Sequence, residues 1–351
     1  MSTPHPLLQD CIECDKCTKS CSFLQRYGNP RAIDQQLAAH FDPLIPYSCS
    51  LCSRCQTVCP VNIRIKDYFL EQRRQAVQRQ QGPLKAHQGL LRYETMVNSR
   101  LFTAYAIPPE ARRVIFPGCG AIGKNPATIK KLHAFLEQEL GEPIGIVLDC
   151  CLKISHDLGR QHFFNTRFSG KIKKLQDNGV EEVITLCPSC TDVFNAYSPL
   201  RTTPVYRYLA AAPSSRKSLP ERRYAVHDPC VLRYNKQVQE DVRTLIKQGQ
   251  AEVMSMPHER QNALCCGEGG GVCHVDPSLP AAMKAKRLQE TDQPLVVYCY
   301  ACRDFLANDR VDVEHILDLL FETTMATPAW KTWVNRFSLK CTFISHGRKN
   351  K

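Results

Sequence analysis

The sequence has little that would place the chain in a membrane or send it across one. No run of eighteen apolar residues occurs among its 351 residues, so we expect no transmembrane helix. Residues 1–10 lack a basic start followed by an apolar core, so we expect no signal peptide. These absences predict a cytoplasmic protein, with peripheral attachment to the cytoplasmic face of a membrane as the alternative.

Sequence signatures of nucleotide and nucleic-acid binding are also missing. The run Gly267–Gly271 lacks the strand-to-helix context and the later acidic residue of a dinucleotide fingerprint. No flavin or nicotinamide motif is visible, so either cofactor would have to come with a partner chain. The formal net charge is +12, but no stretch interleaves aromatic residues with a basic stripe. We therefore expect no nucleic-acid partner.

Cysteine, by contrast, is abundant. The chain has 20 cysteines, with the 43% hydrophobic and 23% charged residues of an ordinary globular protein of two or three domains. In a reducing compartment so many cysteines indicate metal or redox chemistry rather than disulfides.

Two unbroken cysteine runs occupy residues 11–59. Cys11-x-x-Cys14-x-x-Cys17-x-x-x-Cys21 is repeated as Cys49-x-x-Cys52-x-x-Cys55-x-x-x-Cys59-Pro60. This is the run of a bacterial ferredoxin with two [4Fe–4S] clusters, in which three cysteines bind one cluster and the fourth binds the other. One predicted ligand set is therefore Cys11, Cys14, Cys17 and Cys59, and the other is Cys49, Cys52, Cys55 and Cys21. Structural zinc, the alternative, is usually bound by separated Cys-x-x-Cys pairs.

A different pattern of five cysteines is duplicated further along. The first copy is Cys119, Cys150, Cys151, Cys187 and Cys190, and the second is Cys230, Cys265, Cys266, Cys299 and Cys302. The copies start 111 residues apart (230 minus 119) and end 112 apart (302 minus 190). Adjacent cysteines diverge and so favour two different iron atoms of one cluster. The glycines after Cys266 allow backbone to approach a bulky inorganic group.

Strands and helices alternate through both copies. Apolar runs at 113–116, 144–148, 182–186, 224–226, 251–254 and 294–298 predict strands, and each leads to one of the duplicated cysteines. The fold class expected is therefore an α/β C-terminal part of two duplicated cysteine-rich lobes, preceded by a mostly α-helical ferredoxin-like domain. The predicted limits are 1–108 for the ferredoxin domain, 109–212 and 213–325 for the lobes, and 326–351 for a basic tail.

The duplicated pattern resembles the cysteine-rich CCG domain of heterodisulfide reductase catalytic subunits. That domain also occurs in iron–sulfur subunits of glycerol-3-phosphate, glycolate and lactate dehydrogenases. The resemblance covers about residues 111–323 and implies that each five-cysteine set holds a cluster, non-cubane in some members of the family. The chain departs from the pattern at Leu152, where a glycine is usual, and after Cys299, where a proline is usual.

The resemblance implies an iron–sulfur oxidoreductase subunit that passes electrons through two [4Fe–4S] cubanes to one or two further clusters in the CCG lobes. There it would reduce a disulfide, or run in reverse, with Cys230, Cys265, Cys266, Cys299 and Cys302 as the catalytic cluster ligands. The alternative is a relay subunit of a flavin-linked 2-hydroxy acid or glycerol-3-phosphate dehydrogenase, delivering electrons toward quinone. Zinc in one lobe also stays open. The partners implied are a flavoprotein or a membrane quinone or cytochrome subunit, and a thiol or disulfide substrate.

A few other residues carry weaker expectations. Cys273 is expected to be a buried apolar side chain and Cys341 to have no role at the clusters. His227 and His274 flank predicted ligands, and each is expected to serve packing or capping, with a hydrogen bond to sulfur or proton transfer as the alternative. In the tail, Trp330, Trp333, Val334 and Phe337 share one helical face, which we expect to cover the core, with membrane contact as the alternative.

Overall fold

A computed structural model describes residues 5–212, 218–324 and 328–349. The part before residue 100 is helical, and two sheets follow it. The helices of the first part are α1 Lys16–Lys19, α2 Ser22–Tyr27, α3 Pro30–Ala39, α4 Leu44–Tyr47, α5 Arg54–Thr57, α6 Ile65–Gln78 and α7 Gln88–Val97. Short 3-10 turns add Pro6–Leu8 and Lys85–His87.

The helical part packs on its own apolar side chains. Asn29 caps α3 by accepting a hydrogen bond from the Ala32 amide, and Pro30 stands in the first turn, where its missing N–H costs nothing. The core of this part includes Phe23, Ile33 and Phe69, together with Val272 and Leu279 from the second lobe. The helical part and the second lobe therefore share one core.

The first sheet has five strands in the order β1-β3-β2-β4-β5. Its elements are β1 Ala104–Ala106, β2 Arg113–Phe116, α8 Gly118–Lys124, α9 Pro126–Leu140, β3 Gly145–Leu148, α10 Lys153–Asp157, α11 Gln161–Asp177, β4 Glu182–Thr185, α12 Pro188–Tyr197, β5 Arg201–Pro204 and α13 Val205–Ala211. Strands β2 to β5 are parallel, and only β1 pairs antiparallel.

The second sheet has four parallel strands in the order β7-β6-β8-β9. Its elements are β6 Arg223–His227, α14 Lys236–Gln248, β7 Glu252–Met254, α15 Ser278–Leu288, β8 Leu295–Val297, α16 Tyr300–Leu306, β9 Val313–His315 and α17 Ile316–Leu320, with 3-10 turns at Cys230–Leu232, Arg260–Asn262 and Gly269–His274. Its order repeats that of β3, β2, β4 and β5. The predicted α/β character of the C-terminal part and its duplication are thereby confirmed.

Several elements differ from the sequence-based expectation. The sequence predicts one helix over about residues 313–323, but β9 comes first and pairs with β8, so that only α17 is helical. It also predicts a helix over about residues 84–103, where the structure has α7 and a preceding 3-10 turn. Strand β1 lies before the expected domain limit at residue 108, although it pairs with β3 of the first sheet. The expected domain limits stay a prediction.

A last helix, α18 Ala329–Lys349, packs against the first lobe. Its buried side chains are Arg336, Leu339 and Phe343, and the latter two join the apolar core shared by the two sheets. Of the four residues expected to cover the core, only Trp333 packs on the protein, against Tyr93 and Phe102, whereas Trp330, Val334 and Phe337 are exposed. Across the described residues, none of the helices combines the length and the apolarity needed to cross a bilayer.

Candidate iron–sulfur site

The cysteines of the two ferredoxin runs line two separate pockets. The first pocket is lined by Cys11, Cys14, Cys17 and Cys59, and the second by Cys21, Cys49, Cys52 and Cys55. Each pocket therefore contains three cysteines of one run and the fourth of the other, as the ferredoxin pattern predicts. Ile65, the first residue of α6, lines both pockets and so lies between them.

The backbone around these cysteines is held in the same unusual conformation in both runs. Glu13 and Asp15 flank Cys14 with φ of 52° and 56°, and Leu51 and Ser53 flank Cys52 with φ of 53° and 57°. A non-glycine residue in this region costs about 1 kcal/mol or more, so it persists where the surroundings impose it. Four such residues at matching positions indicate a chain wrapped around a cofactor.

The cysteines of the second lobe form two close sulfur pairs. Cys265 Sγ lies 3.8 Å from Cys230 Sγ, and Cys266 Sγ lies 3.4 Å from Cys302 Sγ. Two thiolates bound tetrahedrally to one metal ion at about 2.3 Å lie roughly 3.8 Å apart. The adjacent Cys265 and Cys266 thus face different partners, which suits two metal ions of one cluster.

The loop after Cys266 depends on a glycine conformation. Gly267 has φ of 102°, its amide donates to Cys265 Sγ at 3.3 Å, and an added Cβ would lie 2.7 Å from the Pro280 carbonyl oxygen. In the first lobe Leu152 holds the corresponding position with φ of 63°, and its amide donates to Cys150 Sγ at 3.4 Å. Although Leu152 stands where the family has glycine, the hydrogen bond from this amide to the cysteine sulfur is retained.

The five cysteines of the first lobe also lie close together. Thiol contacts join Cys119 to Cys150, Cys151 to Cys190, and Cys187 to Cys190. Gly118, with φ of 80°, lies so close that an added Cβ would meet Cys187 Cβ at 2.8 Å. The positive φ and the close approach explain why glycine precedes Cys119.

Two further contacts connect these groups of cysteines to one another. The Cys52 thiol of the second ferredoxin pocket contacts Cys265 of the second lobe, and this contact lowers the pKa of Cys52 to about 6. Cys187 of the first lobe contacts Cys299 of the second. The cysteine groups are therefore arranged in the order first pocket, second pocket, second lobe, first lobe.

Two buried arginines hold the helical part against the lobes. The guanidinium of Arg73, on α6, donates at 2.5–2.9 Å to the carbonyl oxygens of Pro46, Cys49, Asp157 and Gly270. Arg233 donates to the Cys52 carbonyl at 3.1 Å and to those of Gln261 and Ala263 at 2.5 and 2.9 Å. The positive charge of Arg73 also acts to lower the pKa of the Cys49 thiol, and that of Arg233 acts to lower the pKa of Cys52. Sequence reasoning missed them because each partner is a backbone carbonyl distant in sequence.

A hydrogen-bonded pair, Arg336 and Tyr93, lies over the first lobe. The Arg336 guanidinium donates to the Cys119 carbonyl and, at 2.8 Å, to the Tyr93 hydroxyl. That hydroxyl also contacts the Cys119 thiol, and burial raises the pKa of Tyr93 well above its ordinary value. Helices α7 and α18 thus cover the first lobe beside Cys119, which remains partly exposed.

His227 lies beside the second-lobe cysteines, unlike His274, Cys273 and Cys341, the other residues with weaker expectations. Arg287 Nε donates to His227 Nδ1 at 3.1 Å, which leaves the ring proton on Nε2. Nε2 is buried and makes no hydrogen bond to the described residues, and the ring, Cys266 and Cys302 place their ligand atoms within 4.8 Å of one another. His274 and Cys341 are exposed, and Cys273 is half-buried.

Replacing His227 with phenylalanine, the residue at the corresponding position 116 of the first lobe, should lower the midpoint potential of a second-lobe cluster. The free Nε2–H of His227 is placed to donate to a sulfur of a bound cluster, and such a bond would stabilise the more negative reduced state; about 1 kcal/mol corresponds to about 40 mV for one electron. A redox titration followed by electron paramagnetic resonance measures the shift. The control is His274→Phe at an exposed position, which should leave the potential unchanged. An unchanged potential in His227→Phe would mean that the ring does not act on the sulfur.

The donor sets suit iron–sulfur clusters in both chemistry and electrostatics. Burial raises the pKa of the Cys49 thiol to about 12 and that of Cys55 well above 9, and the contact with Cys150 together with burial raises the pKa of Cys119 well above 9. Thiols so crowded ionise together only when a cation lies among them, and metal ions supply that charge. The ligand roles of the individual cysteines remain a proposal.

Comparisons with known proteins agree with this arrangement. Residues 7–63 match the 4Fe-4S dicluster domain family, and residues 114–195 and 224–307 each match the cysteine-rich (CCG) domain family. The chain is 25% identical to a fumarate reductase (CoM/CoB) subunit of Methanothermobacter marburgensis over 360 aligned residues, covering 89% of this chain and 72% of that protein.

Two other relatives resemble it over different lengths. An uncharacterized iron–sulfur protein of Methanocaldococcus jannaschii is 22% identical, with 89% of this chain and 73% of that protein covered. An "EtfAB:quinone oxidoreductase" of Syntrophomonas wolfei is 28% identical over 160 residues, covering 42% of this chain and 22% of that protein. This chain therefore belongs to the iron–sulfur electron-transfer proteins in which a 4Fe-4S dicluster domain precedes two cysteine-rich CCG domains.

Proposed function

We propose that this chain is the iron–sulfur subunit of an oxidoreductase complex and that it reduces a disulfide at its second lobe. The observation that carries the proposal is the unbroken series of cysteine contacts through Cys52 and Cys265 to Cys299 and Cys187. A series of this kind gives electrons a short path from the ferredoxin pockets to the lobes. The similarity to a fumarate reductase (CoM/CoB) subunit supports a thiol or disulfide substrate.

Different residues of the chain bind the clusters, position them and exclude water from them. When bound, iron–sulfur clusters supply one-electron transfer and an iron site able to take a sulfur ligand. The second-lobe cluster would be held by five cysteines, Cys230, Cys265, Cys266, Cys299 and Cys302. The buried ring of His227 lies beside them. Reduction of one disulfide to two thiols consumes two electrons and two protons, so the second lobe must receive electrons twice in each turnover.

A relay role is the second candidate. The similarity to a quinone oxidoreductase over 160 residues favours a chain that passes electrons onward without touching a substrate. In that case both lobes serve only as carriers, and a flavoprotein partner supplies the electrons. Structural zinc in one lobe is compatible with the sulfur pairs of the second lobe, because zinc also binds thiolates tetrahedrally.

Metal analysis and spectroscopy on anaerobically purified protein test these alternatives. We expect about sixteen irons, four clusters of four, and a paramagnetic signal in the oxidised protein that develops when a thiol is added. The signal should vanish in Cys266→Ser and persist in Cys151→Ser, the matched change in the first lobe. About eight irons with zinc, or clusters without any response to thiol, would favour the relay and contradict disulfide chemistry.

A further inference from the structure

The last helix, α18, has apolar side chains on two opposite faces. One face packs on the protein through Arg336, Leu339 and Phe343, all buried. The other presents Trp330, Val334, Phe337 and Ile344, which are 64%, 56%, 49% and 38% exposed. These four positions follow one another at helical spacings of four, three and seven residues, so they form one continuous stripe.

The exposed stripe continues onto the end of α7. Lys340 donates to the carbonyl oxygens of Arg100 and, at 3.2 Å, Leu101, and the Trp333 ring packs between Tyr93 and Phe102. This brings the exposed side chains of Met96 and Leu101 next to the helix. Among the described residues, six of the eleven large apolar side chains that are exposed lie in these two segments. Such a concentration marks a binding surface rather than scattered surface residues.

The charge around the stripe has one sign. From residue 323 to residue 351 the sequence contains six lysines and arginines, of which Arg336 is buried on the opposite face, and no aspartate or glutamate. Lys331 on α18 is exposed, as are Arg92 on α7 and Arg100 just after that helix. Apolar and aromatic side chains accompanied by basic residues suit an anionic lipid surface, in which an apolar interior lies beneath negatively charged headgroups.

We propose that the surface made of Met96, Leu101, Trp330, Val334, Phe337 and Ile344 docks this protein on an anionic lipid bilayer. Helix α18 lies in the plane of the headgroups, with the stripe entering the acyl boundary and the basic residues meeting lipid phosphates. The opposite face stays bound to the protein, so docking requires no rearrangement of the fold. This inference is independent of the proposed disulfide chemistry, since none of these six side chains belongs to a cysteine group.

Vesicle flotation with the full chain tests the proposal. The protein should float with vesicles of phosphatidylcholine and phosphatidylglycerol in equal parts, and not with phosphatidylcholine alone, and high salt should weaken the binding. Both tryptophans of the chain lie on α18, so their fluorescence should shift to the blue on binding. The triple variant Trp330→Ser, Val334→Ser, Phe337→Ser should bind at least about tenfold more weakly.

Controls separate loss of binding from loss of fold. Leu44→Ser with Tyr234→Ser removes two exposed apolar side chains elsewhere and should leave flotation unchanged. Iron content and circular dichroism should be those of the parent in both variants. The proposal is overturned if the parent fails to float with anionic vesicles, or if the triple variant floats as well as the parent. Self-association that the triple variant loses, without vesicle binding, would instead assign the surface to a second copy of the chain.

Discussion

Cys52→Ser should break the magnetic coupling between the ferredoxin part and the second lobe. Cys52 lines the second pocket and contacts Cys265, so it is the cysteine at which the two groups meet. The variant should lose about four irons, the content of one cluster. In fully reduced protein, the broadening that neighbouring reduced clusters impose on the second-lobe signal should also disappear.

Cys14→Ser is the matched control for this experiment. Cys14 is an exposed cysteine of the first pocket, which lies on the far side of Ile65 from the second. This variant should also lose about four irons, yet retain the coupling at the second lobe. If Cys14→Ser abolished the coupling and Cys52→Ser preserved it, the order of the cysteine groups would be wrong.

Arg73→Met should lower the free energy of unfolding by about 3–5 kcal/mol, because four carbonyl acceptors lose a charged donor at about 1–3 kcal/mol each while the cost of burying the guanidinium charge is relieved. Arg73 is fully buried, and its guanidinium joins carbonyls of the ferredoxin part, the first lobe and the second lobe. Methionine fills a similar space but donates no hydrogen bond. Four carbonyl oxygens would then lose this donor, two of them in buried and two in partly buried hydrogen bonds. Guanidinium chloride unfolding, followed by circular dichroism under anaerobic conditions, measures the change.

The control for this variant stands at the start of the same helix. Arg64 is 65% exposed at its side chain and pairs with Asp67 on the surface, an interaction that contributes little to stability. Arg64→Met should therefore unfold at the denaturant concentration of the parent. Equal midpoints for Arg73→Met and the parent would mean that the four hydrogen bonds do not hold the three parts together.

The last helix shows where sequence periodicity stops being informative. Its apolar residues Trp330, Trp333, Val334 and Phe337 were expected to cover the core. Only Trp333 of these packs on the protein, and the buried side chains of the helix are Arg336, Leu339 and Phe343. Because both faces carry apolar side chains, the period identifies a helix without selecting the side that packs. Arg336 made the buried face look polar, although its guanidinium finds the Cys119 carbonyl and the Tyr93 hydroxyl.

What the sequence determined by itself is what depends on neighbours along the chain. Cysteines three residues apart can surround one metal group whatever the rest of the fold does, and apolar runs that lead to cysteines predict parallel strands. The duplication also follows from spacing alone. Only the tertiary structure decided that Cys52 meets Cys265, 213 residues later (265 minus 52), and that Arg73 joins three parts of the molecule. Those contacts depend on how complete elements pack, and a local pattern carries no information about which distant surface an element will meet.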